Sequence, residues 1–257
     1  MKLFSSFTKV IEIIPPSGKD MNSFFKSIKV LKETGVKVVS VVSNPMAQPK
    51  LPALYIAQYL ISEGFKTIVH YPLSGRSEVI VKSDMLQAVS MGVDVMLILS
   101  GDPHGITFES GMNILDAIKF VRSHNILVGV AANPNKINHE HLKAKVDAGA
   151  NYFQTQPVFT IDCALKFLKE IEQYNLPVLI GIVVPKSKKH LERLLQIPGV
   201  VIPKEYLKSF EQINTEEDFM TNAFARANKI IETIKEMTAG VYLSMPQSMF
   251  RYIGEKI

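Results

Sequence analysis

The feature that most constrains the fold is a repeat of apolar, β-rich segments separated by stretches with helical periodicity. Most of these segments begin about 25–32 residues after the previous one, roughly the length of a strand-plus-helix unit. They read TKVIEII from residue 8, VKVVSVV from 36, KTIVHY from 66, DVMLILS from 94, ILVGVAA from 126, NYFQTQ from 151, VLIGIVV from 178 and GVYLSM from 240. Nearly continuous apolar runs are typical of parallel strands covered on both faces.

The segments between the predicted strands have the spacing of amphipathic helices. Phe24, Ile28 and Leu31 follow the first strand at helical spacing, and comparable sets follow the others. Glycines precede several strands, as expected after helix C-termini, at positions 35, 64, 92 and 149. The interval between the seventh and eighth strands is longer. It contains two predicted helices, near Lys188–Gln196 and Glu216–Thr238, with a turn at 202–203.

This pattern predicts an α/β protein: a (β/α)₈ TIM barrel with extra helices between strands 7 and 8, forming one domain over residues 1–257. Such barrels typically need about 250 residues. An open doubly wound sheet is the alternative, but it usually carries a glycine-rich loop after its first strand. Here that loop reads Pro15-Pro16-Ser17-Gly18, and neither dinucleotide-binding nor P-loop motifs occur in the sequence.

Composition excludes several classes of protein. With 47% hydrophobic and 21% charged residues the chain is an ordinary globular protein. We expect a cytoplasmic location, because a single cysteine, Cys163, forms no internal disulfide, and neither a signal peptide nor an 18-residue apolar span is found. The net charge is +5. A basic cluster between Lys186 and Arg193 is either a solvated helix start or an attractor of an anion, and nothing indicates nucleic-acid binding.

Active sites of such barrels lie at the C-terminal ends of the strands. Polar residues interrupt or follow the apolar runs there, at Glu12, Asn44, His70, Asp102, Asn133, Gln154, Gln156 and Ser244. Glu12 is the most informative, because burial raises the pKa of a carboxyl, which then holds a proton near neutrality and serves as a general acid. A structural ion pair inside the barrel is the alternative.

The other candidates have equally plain structural alternatives. Asp102 follows Gly101 and either approaches a ligand or caps a turn before Pro103. The Gln156 amide suits the mixed donor and acceptor edge of a pterin, or is a core glutamine. His70 is a base, a flavin contact or a hydrogen-bonded core histidine. No metal-ligand spacing occurs, and Cys163 is expected to be an inert thiol.

Several motifs, in order along almost the whole chain, resemble the methylenetetrahydrofolate reductase family. The matching stretches are Ile11–Pro16 (family F-E-F-F-P-P), Leu97–Pro103 (L-x-L-R-G-D-x-P), Leu142–Ala150 (L-K-x-K-V-D-A-G-A), Gln154–Phe159 (containing T-Q-x-x-F) and Pro177–Pro185 (P-I-x-P-G-I-x-P). The resemblance implies a flavin-containing (β/α)₈ barrel that reduces 5,10-methylenetetrahydrofolate, or a related methylene-pterin, to the 5-methyl form in one-carbon metabolism and methionine biosynthesis. It also implies FAD as cofactor, NAD(P)H as a possible electron donor and a homo-oligomer.

Carried over by motif, Glu12 becomes the general acid that helps to open the methylene bridge, and Asp102 a catalytic residue beside flavin and pterin. Gln156 becomes the folate ligand. The implied flavin site comprises His70, Ser100, Gly101, Asp102, Asn133 and Lys145.

The sequence departs from the family mainly at the flavin positions. Ser100 stands where the family has arginine, Asn133 where it usually has tyrosine, and Ala144 where it has a basic residue. Weak flavin binding, another flavin, an electron-donating partner subunit or a flavin-free reductase therefore remain open. So does a non-redox folate- or pterin-binding subunit of a methyl-transfer complex. An unrelated barrel lyase or aldolase is disfavoured, because no strand-end lysine suits a Schiff base.

Overall fold

A computed structural model describes residues 4, 6–101, 111–197 and 199–257. The strands are β1 (Thr8–Ile13), β2 (Val38–Val41), β3 (Lys66–Pro72), β4 (Val95–Leu99), β5 (Leu127–Ala132), β6 (Tyr152–Pro157), β7 (Val178–Val183) and β8 (Gly240–Ser244). The helices are α1 (Met21–Glu33), α2 (Ala53–Ser62), α3 (Glu78–Ser90), α4 (Ile114–Ser123), α5 (His139–Asp147), α6 (Ile161–Ile171), α7 (Lys188–Leu194), α8 (Lys204–Lys208) and α9 (Glu216–Ile234). Short 3₁₀ helices span Pro45–Ala47, Glu172–Tyr174 and Gln247–Tyr252.

Within these residues the strands form a closed barrel in the order β1 to β8, and each strand is parallel to its neighbours. The first and last strands close the barrel with Val10 opposite Tyr242 and Ile11 opposite Leu243. The predicted (β/α)₈ barrel is therefore confirmed.

The core has two parts because the strands are covered on both faces. A large outer cluster packs between the strands and the helices, and a smaller one fills the barrel interior. The interior cluster comprises Val10, Val38, Ile68, Val95, Leu97, Tyr152, Leu179 and Tyr242. Because side chains alternate along a strand, residues two positions further on point into the barrel closer to its C-terminal mouth.

Side-chain caps fix where most of the outer helices begin. Ser77, Asn113, Thr160 and Thr215 each accept a hydrogen bond from a backbone N–H three residues later, at the starts of α3, α4, α6 and α9. The predicted helical faces are the buried ones: Phe24, Ile28 and Leu31 of α1 face the strands. These caps leave the strand ends free to carry the polar residues of the mouth.

The interval between β7 and β8 contains three helices in place of the two predicted from the sequence. The additional helix, α8, spans five residues and follows the predicted turn at once, with Pro203 at its N-cap. Tyr206 anchors it by packing edge-on against Phe159, which follows β6. No helix of the described chain has the length and apolar composition needed to cross a membrane.

Candidate active site

A layer of polar side chains lies above the apolar interior of the barrel, toward the C-terminal mouth. Its members stand two residues beyond members of the interior cluster, and they are Glu12, Ser40, His70, Gln154 and Ser244. Alternation along β1, β2, β3, β6 and β8 thus places side chains from distant parts of the sequence in one layer.

Glu12 is held by two hydroxyl groups of β8. Tyr242 Oη donates to Glu12 Oε2, and Ser244 Oγ donates to Glu12 Oε1 at 2.7 Å. Burial raises the pKa of the Glu12 carboxyl above its usual range, while the two hydrogen bonds act in the opposite direction. Among the described residues Glu12 forms no ion pair, so hydroxyl groups stand where a structural ion pair was the sequence-based alternative.

His70 is buried deep in the mouth, with 8% of its surface exposed. Its Nε2 lies 2.8 Å from Ser40 Oγ and 3.3 Å from Gln154 Nε2. Burial lowers the pKa of the imidazole to about 3, so His70 is neutral at physiological pH. The position matches a hydrogen-bonded core histidine, which was one of its three sequence-based interpretations.

Gln156 ends β6 beneath the segment that joins α7 to α8. A Cβ added to Gly199 in that segment would lie 2.7 Å from both terminal atoms of the Gln156 amide. Gly199 also has a positive φ of 80°. The absence of a side chain at Gly199 therefore makes room for the Gln156 amide.

Lys145 places a cation at the C-terminal end of β5. Its Nζ lies 3.5 Å from the carbonyl oxygen of Ala131, the penultimate residue of that strand. Burial lowers the pKa of the ammonium group, and within the described residues Lys145 has no carboxylate partner. A half-buried cation with no carboxylate partner in the described part of the chain is suited to an anionic group such as a phosphate.

The remaining predicted flavin positions are less suited to a cofactor. Ser100 is exposed, and its carbonyl accepts a hydrogen bond from the Ser74 backbone at 3.0 Å. Ser74 also fills the space beside Gly101, since its Oγ would lie 2.0 Å from an added Cβ. Asn133 Oδ1 accepts from the Asn135 backbone at 2.9 Å, inside its own loop.

Asp102, predicted to be catalytic, lies outside the described residues. Of the other predicted residues, Glu12 and His70 lie in the polar layer, Gln156 is the penultimate residue of β6, Asn133 follows β5, and Lys145 lies on α5 with its Nζ near Ala131. Cys163 is half-buried, and burial raises the pKa of its thiol, as an inert cysteine requires. No cluster of possible metal ligands occurs among the described residues.

Sequence reasoning missed Tyr242, the strongest partner of Glu12. A tyrosine in an apolar strand looks like a packing residue, and no local pattern distinguishes it. The signal that could have found it is the pairing of β1 with β8, which places Tyr242 one interior layer below Glu12. Together, a buried carboxyl with a raised pKa and the neutral polar side chains beside it suit proton transfer to a polar ligand.

Comparison with known sequences points to one family. The family model described as methylenetetrahydrofolate reductase matches residues 4–245. A probable methylenetetrahydrofolate reductase (NADPH) of Caenorhabditis elegans is 26% identical over 231 residues, covering 81% of this chain and 35% of that protein. The 5,10-methylenetetrahydrofolate reductase of Buchnera aphidicola subsp. Baizongia pistaciae is 27% identical over 183 residues, covering 67% of this chain and 61% of that protein. The chain thus spans less than two thirds of the length of these relatives.

Solved structures share the fold. A Clostridium thermocellum protein described as binding two copies of 5-methyl-5,6,7,8-tetrahydrofolic acid superposes with a TM-score of 0.73 at 19% identity, over 99% of this chain and 95% of that one. A dihydropteroate synthetase superposes with a TM-score of 0.55 at 10% identity, over 98% and 91% of the two chains. The barrel agrees with both structures, and the family match covers all eight of its strands. The chain belongs to the methylenetetrahydrofolate reductase family.

Proposed function

We propose that this chain reduces 5,10-methylenetetrahydrofolate, or a closely related methylene-pterin, to the 5-methyl form. The observation that carries the proposal is Glu12, a carboxyl with a raised pKa at the C-terminal mouth of a barrel of this family. Family membership supplies the reaction class, and the site supplies a group able to perform its acid step.

Glu12 is the proton donor in this proposal. The methylene carbon of the substrate bridges N5 and N10, and it becomes reducible when its bond to N10 breaks. The Glu12 proton moves to N10 as that bond breaks, which leaves an iminium at N5 and a carboxylate on Glu12. A hydride then converts the methylene carbon to the methyl group. The carboxylate formed at Glu12 keeps its hydrogen bonds from Tyr242 and Ser244.

Gln156 is the proposed pterin ligand. Its amide has both donors and an acceptor, which suits the mixed edge of the pterin ring. It stands at the end of β6, on the same strand as Gln154 of the polar layer. Gly199 lies against this amide, since an added Cβ would be 2.7 Å from both of its terminal atoms.

A flavin is the proposed source of the hydride, and the described residues suit it in part. Lys145 would hold an anionic group of the cofactor, because its ammonium lies half-buried without a carboxylate partner in the described chain. Ser100 and Asn133 supply no comparable group. When bound, FAD would carry hydride from a nicotinamide cofactor to the substrate. The name of the C. elegans relative specifies NADPH. An electron-donating partner subunit and a homo-oligomer remain predictions.

Two comparisons support a folate as substrate. The C. thermocellum protein that shares the fold is described as binding 5-methyltetrahydrofolic acid, the product of the proposed reaction. The relatives from C. elegans and B. aphidicola are named as reductases of the corresponding methylene compound.

Replacing Glu12 tests the proposal. Glu12→Gln keeps the size and polarity of the side chain but removes the proton, so reduction of methylenetetrahydrofolate should fall by about 10²–10⁴-fold. Binding of 5-methyltetrahydrofolate, measured by calorimetry, should change little, because the amide still accepts and donates hydrogen bonds. Near-normal turnover by a folded Glu12→Gln protein would remove Glu12 from the mechanism. Absence of both folate binding and turnover in the unmodified protein would overturn the function.

The orientation of Asn133 favours a second candidate, a folate-binding subunit or reductase without tightly bound flavin. Its side chain is engaged within its own loop, and the family arginine is replaced by the exposed Ser100. The visible absorption spectrum of the purified protein separates the candidates. Stoichiometric FAD would favour the flavoprotein, and a colourless protein that binds folate would favour the alternative.

A further inference from the structure

Glu12 is held by β8 in a way that the family resemblance did not predict. Ile11 pairs with Leu243, so the next interior residues on the two strands, Glu12 and Ser244, are side by side. Tyr242 lies one interior layer lower and its hydroxyl reaches up to the other carboxyl oxygen. Each oxygen of the carboxyl therefore receives one hydroxyl from the same strand.

We propose that Tyr242 and Ser244 are positioning residues that keep the Glu12 carboxyl in one orientation and control how readily it releases its proton. The inference rests on the proposed function, because it assigns a task to two residues around the proposed proton donor. It also makes a claim about Glu12 that is measurable without turnover.

The chemical reason is the difference between the two states of the carboxyl. Both hydroxyls donate to an ionised Glu12, so they stabilise the state left after proton release. Burial works against that state, and it is the larger influence on the pKa of Glu12. Tyr242 counteracts burial more strongly than Ser244 does. Without these donors Glu12 would hold its proton to a higher pH and release it less readily.

The neighbouring groups do not replace these donors. Ser40, opposite Glu12 on β2, bonds to His70. His70 on β3 lies beside the Tyr242 ring, with 5.7 Å between ring centroids, and it is neutral because burial lowers its pKa to about 3. Tyr152 on β6 is the deeper tyrosine of the interior, and no hydrogen-bond partner for its hydroxyl occurs among the described residues.

The experiment measures the titration of Glu12 directly, by carboxyl ¹³C NMR on protein labelled at glutamate, with the signal assigned by its loss in Glu12→Gln. Tyr242→Phe removes one donor and should raise the titration midpoint by about one pH unit, since a hydrogen bond to a charged group is worth that much or more. Tyr152→Phe is the matched control, because it deletes from the same interior a hydroxyl that forms no hydrogen bond with Glu12. The titration midpoint of Glu12 in this variant should equal that in the unmodified protein.

Ser244 provides a second test if Tyr242→Phe fails to fold. Ser244→Ala should raise the midpoint by a smaller amount, and Ser244→Thr, which keeps the hydroxyl, should restore it. In an active enzyme the apparent pKa of the basic limb of the pH profile of kcat/KM should rise together with the Glu12 midpoint, and kcat should fall. Unchanged midpoints in folded Tyr242→Phe or Ser244→Ala proteins would overturn the inference. Shifted midpoints in a protein without reductase activity would support the positioning role and overturn the proposed function.

Discussion

A single buried histidine gives the protein a defined response to acid. The pKa of His70 is about 3 in the folded protein, whereas a solvent-exposed histidine in the unfolded chain has a pKa of 6.5. Between these values the unfolded chain binds a proton that the folded chain does not, so stability is lost as pH falls below about 6.5. The cost is about 1.4 kcal/mol for each pH unit in which the two states differ by one full proton.

We therefore predict that His70→Gln removes this dependence. Urea unfolding at pH 7, 6 and 5 should show the free energy of unfolding of the unmodified protein falling faster than that of the variant. At pH 7 the variant should be the less stable of the two, because glutamine fills the site imperfectly between Ser40 and Gln154. Parallel pH dependences for the two proteins would contradict the burial of a neutral His70.

Residues also show where sequence reasoning succeeds and where it stops. Glu12 was predictable because an acidic side chain is costly to bury in an apolar strand, so its presence there indicates a specific role. Tyr242 was not, because tyrosine suits a buried strand without any further role. Its function depends on the strand register between residues 230 positions apart in sequence. Gln156 was predicted from its place at the end of a strand. Its contact with Gly199 was not, because Gly199 lies in a loop, where the sequence has no periodic pattern.

At the scale of elements, Gly199, between α7 and α8, lies against the Gln156 side chain of β6. Gly199→Ala should push the Gln156 amide aside, because the new methyl would lie 2.7 Å from both of its terminal atoms. If Gln156 binds the pterin, folate affinity should fall by roughly tenfold, equivalent to about 1.4 kcal/mol and within the cost of an unsatisfied buried partner.

Gly92→Ala is the control for backbone strain. Gly92 also has a positive φ, 73°, but nothing lies within 4 Å of an added Cβ. Both variants should lose stability to a similar extent, and folate affinity, measured by calorimetry, should fall in Gly199→Ala alone. Equal affinities in the two folded variants would show that this segment does not position Gln156.

The elements themselves were largely predictable. Each of the predicted strands appears, since apolar runs bounded by helical periodicity leave few alternatives. Helix α8 was missed because five residues give too short a stretch for periodicity to register, and its stability comes from Tyr206 packing on Phe159. Helix propensity within the segment does not reveal such a contact.

At the scale of the whole molecule, the backbones of β1 and β8 approach closely where these two strands close the barrel. Gly240 begins β8 opposite Thr8, and a Cβ on Gly240 would lie 2.1 Å from the Thr8 carbonyl oxygen. Gly240→Ala should therefore destabilise the protein by about 1–3 kcal/mol through overpacking at the closing pair of strands.

Urea unfolding followed by tyrosine fluorescence measures this loss, and Gly64→Ala serves as the comparison. Gly64 has nothing within 4 Å of an added Cβ, so its replacement costs only the strain of a positive φ. Gly240→Ala should be the less stable variant and should also disturb the Glu12 titration, because β8 carries both of its partners. A Gly240→Ala protein at least as stable as Gly64→Ala would show that the pairing of β1 with β8 tolerates a displacement of the backbone at residue 240.

The pairing of the first strand with the last has a consequence for the order in which the protein acquires its chemistry. Glu12 is synthesised before its partners, because Tyr242 and Ser244 are 230 and 232 residues further along the chain. Until β8 docks, the carboxyl lacks both of its hydroxyl partners. The buried, hydrogen-bonded environment that sets the pKa of Glu12 is complete only when the ring of strands is closed. If Glu12 is the proton donor proposed above, a chain in which β8 has not docked lacks the arrangement that the acid step requires.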